Sequence, residues 1–151
     1  MSYRADFTVY GSDGRTVLLV EVKGRTGADS RWASELRRNM LGHGVLPASD
    51  YFLVALPDRF FLWRGNGDAL REPDVVVSAD PLLASYAQDD HIIPATWDEW
   101  GMELVVLSWL NDLTSGHVRP FTEQTEWIQT TGLLDAVRGG WVEAETADIA
   151  P

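Results

Sequence analysis

The alternation of hydrophobic and polar residues predicts a β-hairpin near the start of the chain. Residues 5–10 and 15–23 are rich in β-forming side chains, and the Gly-Ser-Asp-Gly sequence between them is typical of a tight turn. Residues 17–22 are apolar at all but one position. The second strand is therefore expected to lie in the centre of a sheet that is covered on both faces.

The pattern after the hairpin predicts a helix, further strands and then mainly helices. Trp32, Leu36 and Met40 recur at the spacing of one helix face over residues 29–41, with Arg37 elsewhere on the circumference. The other predicted elements are strands at 51–56, 60–63 and 75–77, helices at 81 to 86 or 87, 97–113 (with a capping box from Thr96), 123–131 and 133–138, and a strand at 141–146. This order predicts a single domain of the mixed α/β (α+β) class, with helices flanking a mixed sheet.

Composition supports a folded globule and limits its partners. The chain is 45% hydrophobic with seven Trp and no Cys, which excludes disulfides and thiolate zinc sites. It has neither an apolar run of membrane-spanning length nor the apolar core of a signal peptide, so we expect a cytoplasmic protein with no membrane partner. Residues 1–64 carry a net charge of +2 and residues 65–151 a net charge of −13. This balance argues against binding nucleic acid over the whole surface.

Candidate chemistry lies at the end of the second hairpin strand. Because strand side chains alternate between faces, Glu21 and Lys23 share one face. Two of the three possible hairpin registers place Asp6 on that face, either directly opposite Glu21 or diagonal to it, and the third turns Asp6 away. Two of the three registers therefore predict one cluster of two carboxylates and an amine.

Two carboxylates beside a lysine suit a hard divalent cation such as Mg²⁺ or Mn²⁺. The backbone carbonyl of Val22, between Glu21 and Lys23, is a natural further ligand. A metal held by Asp6 and Glu21 would polarise a phosphodiester and activate a bound water. Lys23 would orient that water or stabilise the developing charge on phosphorus. The alternative interpretation of the same residues is a salt bridge at a strand end, which contributes little.

Asp6, then fourteen residues, then Glu21-Val22-Lys23 across a hairpin, followed by a helix and a strand, resemble the core of the PD-(D/E)XK nuclease superfamily over residues 4–64. The resemblance implies a restriction-endonuclease-like sheet, Asp6 and Glu21 as metal ligands, and Lys23 as the catalytic lysine. It also implies nucleic acid, with DNA favoured, as the substrate. The positions that we predict to contact it are Arg25, Arg31, Glu35 and Arg38.

The chain departs from the superfamily pattern before the hairpin. That core usually begins with a helix, often carrying an acidic residue, but only five residues precede Asp6, and Ala5 stands where a proline is common. We therefore expect the first core helix to be missing and residues 65–151 to form an acidic, helix-rich extension packed on the core. One sheet face should be uncovered unless the C-terminal helices or a second subunit of a homo-oligomer cover it.

Two functions follow from these observations. The first is a Mg²⁺- or Mn²⁺-dependent endonuclease that uses Asp6, Glu21 and Lys23. The second is a catalytically silent module that keeps the nuclease fold for binding or assembly, which the absent helix and the acidic C-terminal half favour.

Overall fold

A computed structural model describes residues 4–43, 46–65, 67, 69–89 and 98–145. Within these residues the chain forms six strands and five helices of a mixed α/β (α+β) fold, as expected from the sequence. In chain order they are β1 (Phe7–Tyr10), β2 (Thr16–Val22), α1 (Ser30–Gly42), β3 (Tyr51–Ala55), β4 (Arg59–Arg64), β5 (Val75–Ser78), α2 (Asp80–Asp89), α3 (Glu99–Ser115), α4 (Trp127–Thr130), α5 (Leu133–Val137) and β6 (Trp141–Ala144).

The strands form one mixed sheet in the order β5-β4-β3-β2-β1-β6. β2 and β3 are parallel, and every other neighbouring pair is antiparallel. α1 makes the crossover that two consecutive parallel strands require. β2 lies inside the sheet and is buried at every position after Thr16. Its prediction as a central strand is therefore confirmed.

Side-chain alternation divides the core into two layers, one on each face of the sheet. On one face, Leu19 of β2 packs with Ala33 and Met40 of α1. On the other face, Val20 belongs to a larger cluster with Trp109 and further residues of α2, α3, α4 and α5. The C-terminal helices of the same chain thus cover the sheet face that was expected to need either these helices or a second subunit. Self-association is not needed to cover it.

Arg37 is buried, although the helical pattern placed it away from the apolar stripe of α1. Its side chain is only 1% exposed. The guanidinium lies 5.5 Å from the ring centroid of Trp63 and donates hydrogen bonds to the carbonyl oxygens of Gly67 (2.8 Å) and Ala69 (3.2 Å). Trp32 and Leu36, predicted as buried, are only half-buried. Carbonyl oxygens of a loop that is distant in sequence accept these hydrogen bonds, which offsets the cost of burying the charge of Arg37.

Most predicted elements are present within two residues of their predicted bounds, but α3 has a different N-cap and one predicted helix begins four residues later. The N-cap of α3 is Asp98, whose side chain accepts the N–H of Gly101 at 2.8 Å, whereas Thr96 lies outside the described residues. The helix predicted at 123–131 is reduced to α4. The Thr122 amide donates to Thr125 Oγ1 at 2.8 Å, and such side-chain bonds compete with helical backbone bonding. No helix in the described ranges could span a membrane.

Candidate functional site

The hairpin brings Asp6 and Glu21 directly opposite each other. Phe7 pairs with Val20, and continuing that register by one residue places Asp6 across from Glu21. Asp6 Oδ2 accepts the backbone N–H of Val22 at 2.7 Å, which fixes the carboxylate at the end of β2. The pairing shifts only near the turn, where a β-bulge occurs. The structure therefore adopts one of the two registers that gather the candidate residues.

Glu21 is a buried carboxyl group that lies between Asp6 and Lys23. The residue is 7% exposed, and its Oε2 lies 3.2 Å from Lys23 Nζ. No donor group in the described part of the chain bonds to its Oε1, and Asp6 lies close enough for the two carboxyl groups to share a hydrogen bond when one of them is protonated. Burial raises the pKa of Glu21 to about 8, with a further contribution from the neighbouring Asp6 that outweighs the opposing effect of Lys23. Without a cation, Glu21 retains a proton near neutral pH.

Lys23 is held in its charged form by the surrounding carboxylates. Burial alone would lower its pKa, but Glu21, which is ionised at the high pH where a lysine titrates, raises the pKa above the ordinary value together with Glu99 and Asp6. The ammonium group is therefore a fixed positive charge at the end of β2. It is unsuited to act as a base near neutral pH.

The start of α3 adds two carboxylates that the sequence prediction missed. α3 begins against the residue that follows Lys23, since a Cβ on Gly24 would lie 2.8 Å from the backbone nitrogen of Glu99. Burial raises the pKa of Glu103, and the charges of Asp6 and Glu99 add to this effect. The set Asp6, Glu21, Glu99 and Glu103 around Lys23 is called the acidic cluster below. Helical spacing of Glu99 and Glu103 was visible in the sequence, but their position beside the hairpin was not.

Asp6 and Glu21 are the two residues of the acidic cluster that could hold a hard divalent cation. The described residues contain no group of three or more His, Cys, Asp or Glu side chains arranged to hold a metal ion. Mg²⁺, however, is commonly held by one or two protein carboxylates together with water and substrate phosphate. The neighbouring carboxyl groups of Asp6 and Glu21 supply such a pair. The Val22 carbonyl as a third ligand stays a prediction.

The residues predicted to contact nucleic acid lie on α1 and the loop before it. Arg25 is exposed, with its guanidinium 4.9 Å from the ring centroid of Trp32. Arg31 Nε lies 3.3 Å from Glu35 Oε1, so these two residues form an ion pair one turn apart. Arg38 is exposed. Glu35 is thus paired within α1. The exposed guanidinium groups remain candidates for phosphate contacts.

Comparison with models of protein families, with curated proteins and with solved structures finds no significant match to this chain. The resemblance to the PD-(D/E)XK superfamily therefore depends on the hairpin residues and on the order of the elements. A function is inferred below from the geometry of the acidic cluster.

Replacing Gly24 with alanine is expected to destabilise the fold by about 1–3 kcal/mol. The new Cβ would lie 2.8 Å from the Glu99 nitrogen and 3.3 Å from its Cα, so the start of α3 must move. Urea denaturation measures the change. Gly42→Ala is the matched control, because its Cβ would meet nothing within 4 Å. Equal stabilities of the two variants would show that α3 does not pack closely against Gly24.

The metal-free protein is expected to lose stability as pH rises from about 4.5 to about 8. The folded pKa of Glu21 is above its ordinary value of 4.5, so the native state binds the extra proton in this window. The contribution is therefore complete below the ordinary pKa and is lost as pH rises through the folded pKa, by an amount on the order of a few kcal/mol. The free energy of unfolding of the wild type and of Glu21→Gln, measured in chelator at a series of pH values, isolates the contribution of Glu21. Identical slopes for the two proteins would contradict the assignment.

Proposed function

We propose that this chain is a divalent-cation-dependent phosphodiesterase that cleaves nucleic acid, with DNA as the favoured substrate. The carrying observation is Glu21, a buried carboxyl group close enough to Asp6 to share a proton with it, with its Oε2 3.2 Å from Lys23 Nζ and no donor group of the described residues bonded to its Oε1. Two neighbouring carboxylates in a buried site are unfavourable for folding unless they share a proton or bind a cation. The arrangement is therefore better explained by a ligand than by stability.

The order of the surrounding elements supports the same proposal. An antiparallel β1–β2 hairpin carries Asp6 and Glu21, α1 follows, and β3 then lies parallel beside β2. This is the strand-helix-strand order on which the resemblance to the PD-(D/E)XK core depends. The superfamily core usually has a helix before the Asp strand, and in this proposal α3 takes its place, because α3 covers the sheet face and carries Glu99 and Glu103.

Each residue of the hairpin has a defined role in the proposed reaction. Asp6 and Glu21, with the Val22 carbonyl, would hold Mg²⁺ or Mn²⁺, and binding would displace the proton of Glu21. A bound cation would polarise the phosphodiester and activate a water molecule. Since Lys23 stays protonated, its role is to stabilise negative charge on the phosphoryl oxygens and not to abstract a proton.

A cleavage assay with plasmid and single-stranded DNA, in the presence of Mg²⁺ or Mn²⁺ and then of chelator, tests this proposal. Cutting that requires the metal is the expected result. Mn²⁺ titration by calorimetry provides an independent measurement, in which Glu21→Gln should weaken binding and release fewer protons. Wild-type protein that neither cuts DNA nor RNA nor binds Mn²⁺ would contradict the proposal.

The second candidate function is a module that uses the nuclease fold for binding or assembly. The favouring observation is the surface beside the acidic cluster, where Trp100 and Leu104 are 69% and 40% exposed. Exposed apolar groups at one place often mark an interaction site. Homo-oligomerisation through this surface belongs to the same proposal, and a monomeric mass by light scattering at micromolar concentration would exclude it. Absence of Glu21-dependent Mn²⁺ binding would favour the module over the enzyme.

A further inference from the structure

A cavity of about 230 Å³ lies between α2, the C-terminal half of α3 and residues 118–125. Apolar side chains from these elements and from α4 form its walls, and they include Leu82, Trp109, Leu113, Val118, Phe121 and Ile128. Asp112, which also lines it, follows Glu103 of the acidic cluster by nine residues on α3, or roughly 14 Å along the helix axis. None of the described lining residues belongs to the acidic cluster. The cavity is therefore separate from the proposed catalytic site.

Three side chains that contact one another bring polar groups to the cavity. Tyr86 is 2% exposed, and its hydroxyl donates a hydrogen bond to Asp112 Oδ2. The Arg119 guanidinium lies 3.9 Å from the ring centroid of Tyr86 and donates to the carbonyl oxygen of Ser85 at 2.9 Å. Burial, followed by the bond to Asp112, raises the pKa of Tyr86, so its hydroxyl remains a donor near neutral pH. Contacts within the protein therefore fix these polar groups.

The size and lining of the cavity indicate a small molecule. Protein interiors have few voids larger than a water molecule, so a space of about 230 Å³ is more than a packing defect. A mainly apolar lining with a few fixed polar groups is the usual composition of a small-molecule site. An apolar cavity of about 150 Å³ holds benzene, and the same scale gives about nine non-hydrogen atoms for this cavity.

We propose that this cavity binds an uncharged aromatic molecule of about the size of indole that carries an N–H or O–H donor. The charged side chains among the described lining residues are Asp112 and Arg119, whose formal charges cancel, so a ligand with a net charge would be uncompensated. Trp109 and Phe121 provide aromatic contacts for a ring.

The donor of the ligand is assigned to Asp112. An ionised carboxylate has about four acceptor positions, so Asp112 can accept a second hydrogen bond beside the one from Tyr86. A hydrogen bond to a charged acceptor is stronger than one between neutral groups. This inference is independent of the proposed function, because it concerns a different part of α3.

The probe for this site is indole, and its control is benzofuran, which has the same shape but an oxygen in place of the N–H. Titration calorimetry should show that indole saturates one site with a Kd below about 1 mM. Benzofuran should bind about tenfold or more weakly, the effect of losing a hydrogen bond to a charged group. An indole that carries a carboxylate group should also bind more weakly, since its charge is uncompensated.

Two substitutions locate the bound probe. Val118→Phe adds volume inside the cavity and should weaken indole binding about tenfold or more. Val76→Phe makes the same change at a valine of β5 that is 43% exposed, and it should alter affinity less than about twofold. Asp112→Asn keeps the shape of the side chain but removes its charge, and it should weaken binding about fivefold. Indole should also raise the melting temperature of the wild type.

Several outcomes would overturn the inference. They are the absence of saturable indole binding, equal affinity for benzofuran, tighter binding of the carboxylated indole, and equal effects of the two phenylalanine substitutions. Glu21→Gln should leave indole affinity unchanged, and a loss of binding in that variant would place the probe at the acidic cluster instead. Indole binding by a protein that never cleaves nucleic acid would remove only the proposed function.

Discussion

Replacing Lys23 with alanine is expected to lower the rate of metal-dependent cleavage by about 100- to 1,000-fold, the usual effect of removing one group that stabilises transition-state charge. Its Nζ lies 3.2 Å from Glu21 Oε2, and neighbouring carboxylates keep it protonated. The substitution removes a positive charge beside the proposed metal ligands. Mn²⁺ affinity should therefore be unchanged or tighter, while the cleavage rate at saturating metal falls.

Arg138→Ala is the matched control for this experiment. Arg138 lies just beyond α5, is exposed, and has its guanidinium 3.7 Å from Asp135. Its replacement removes one positive charge, as replacement of Lys23 does. Its loss should leave the cleavage rate and Mn²⁺ affinity unchanged. Wild-type cleavage by Lys23→Ala would contradict the role of Lys23, and a parallel loss of Mn²⁺ binding would show that it acts through the structure of the site.

Replacing Gly140 with alanine is expected to destabilise the protein by at least about 3 kcal/mol, because overlap with backbone cannot be relieved by a rotamer change. A Cβ at this position would overlap the carbonyl oxygen of Tyr10 and lie 2.8 Å from its carbonyl carbon. Tyr10 pairs with Trp141, so relief of the overlap requires β6 to separate from β1. Denaturant unfolding monitored by circular dichroism measures the loss.

The same substitution should weaken metal binding. The backbone N–H of Glu145, just beyond β6, donates to the carbonyl oxygen of Asp6 at 2.9 Å and helps to fix that residue. Gly139→Ala is the control. Its φ of 80° makes a side chain unfavourable by roughly 1–2 kcal/mol, but its Cβ would come no nearer than 3.5 Å to another group. Equal losses of stability in the two variants would rule out the close approach of Gly140 to Tyr10.

The parts of the fold that depend on local chemistry could be predicted from the sequence. The hairpin follows from a turn sequence between two β-forming segments, and Asp29 caps α1 by accepting the N–H of Trp32 at 2.9 Å. Two of the three possible hairpin registers placed Asp6 on the same face as Glu21. The choice between them could not be made, because it depends on a bulge that leaves no pattern in the residue types.

The parts that depend on distant residues could not be predicted. A periodicity argument treats Arg37 as exposed, but the ring of Trp63 and two loop carbonyls offset the cost of burying its charge. Glu103 looked like an ordinary charged residue of a helix until the packing of α3 placed it near Asp6. Sequence reasoning could identify the hairpin half of the candidate site, whereas the α3 half depends on tertiary packing.

The pairing of β6 with β1 has a consequence for the order of events during synthesis. β1 and β2 leave the ribosome before the other described elements, and the start of α3 and the strand that helps to fix Asp6 are made more than 75 residues later. At about 5–20 residues per second, the nascent chain spends several seconds with the hairpin carboxylates exposed and the rest of the acidic cluster absent. Contacts between such distant segments also fold slowly. The complete cluster therefore assembles only when translation of this region is nearly finished, and an interrupted chain would lack it.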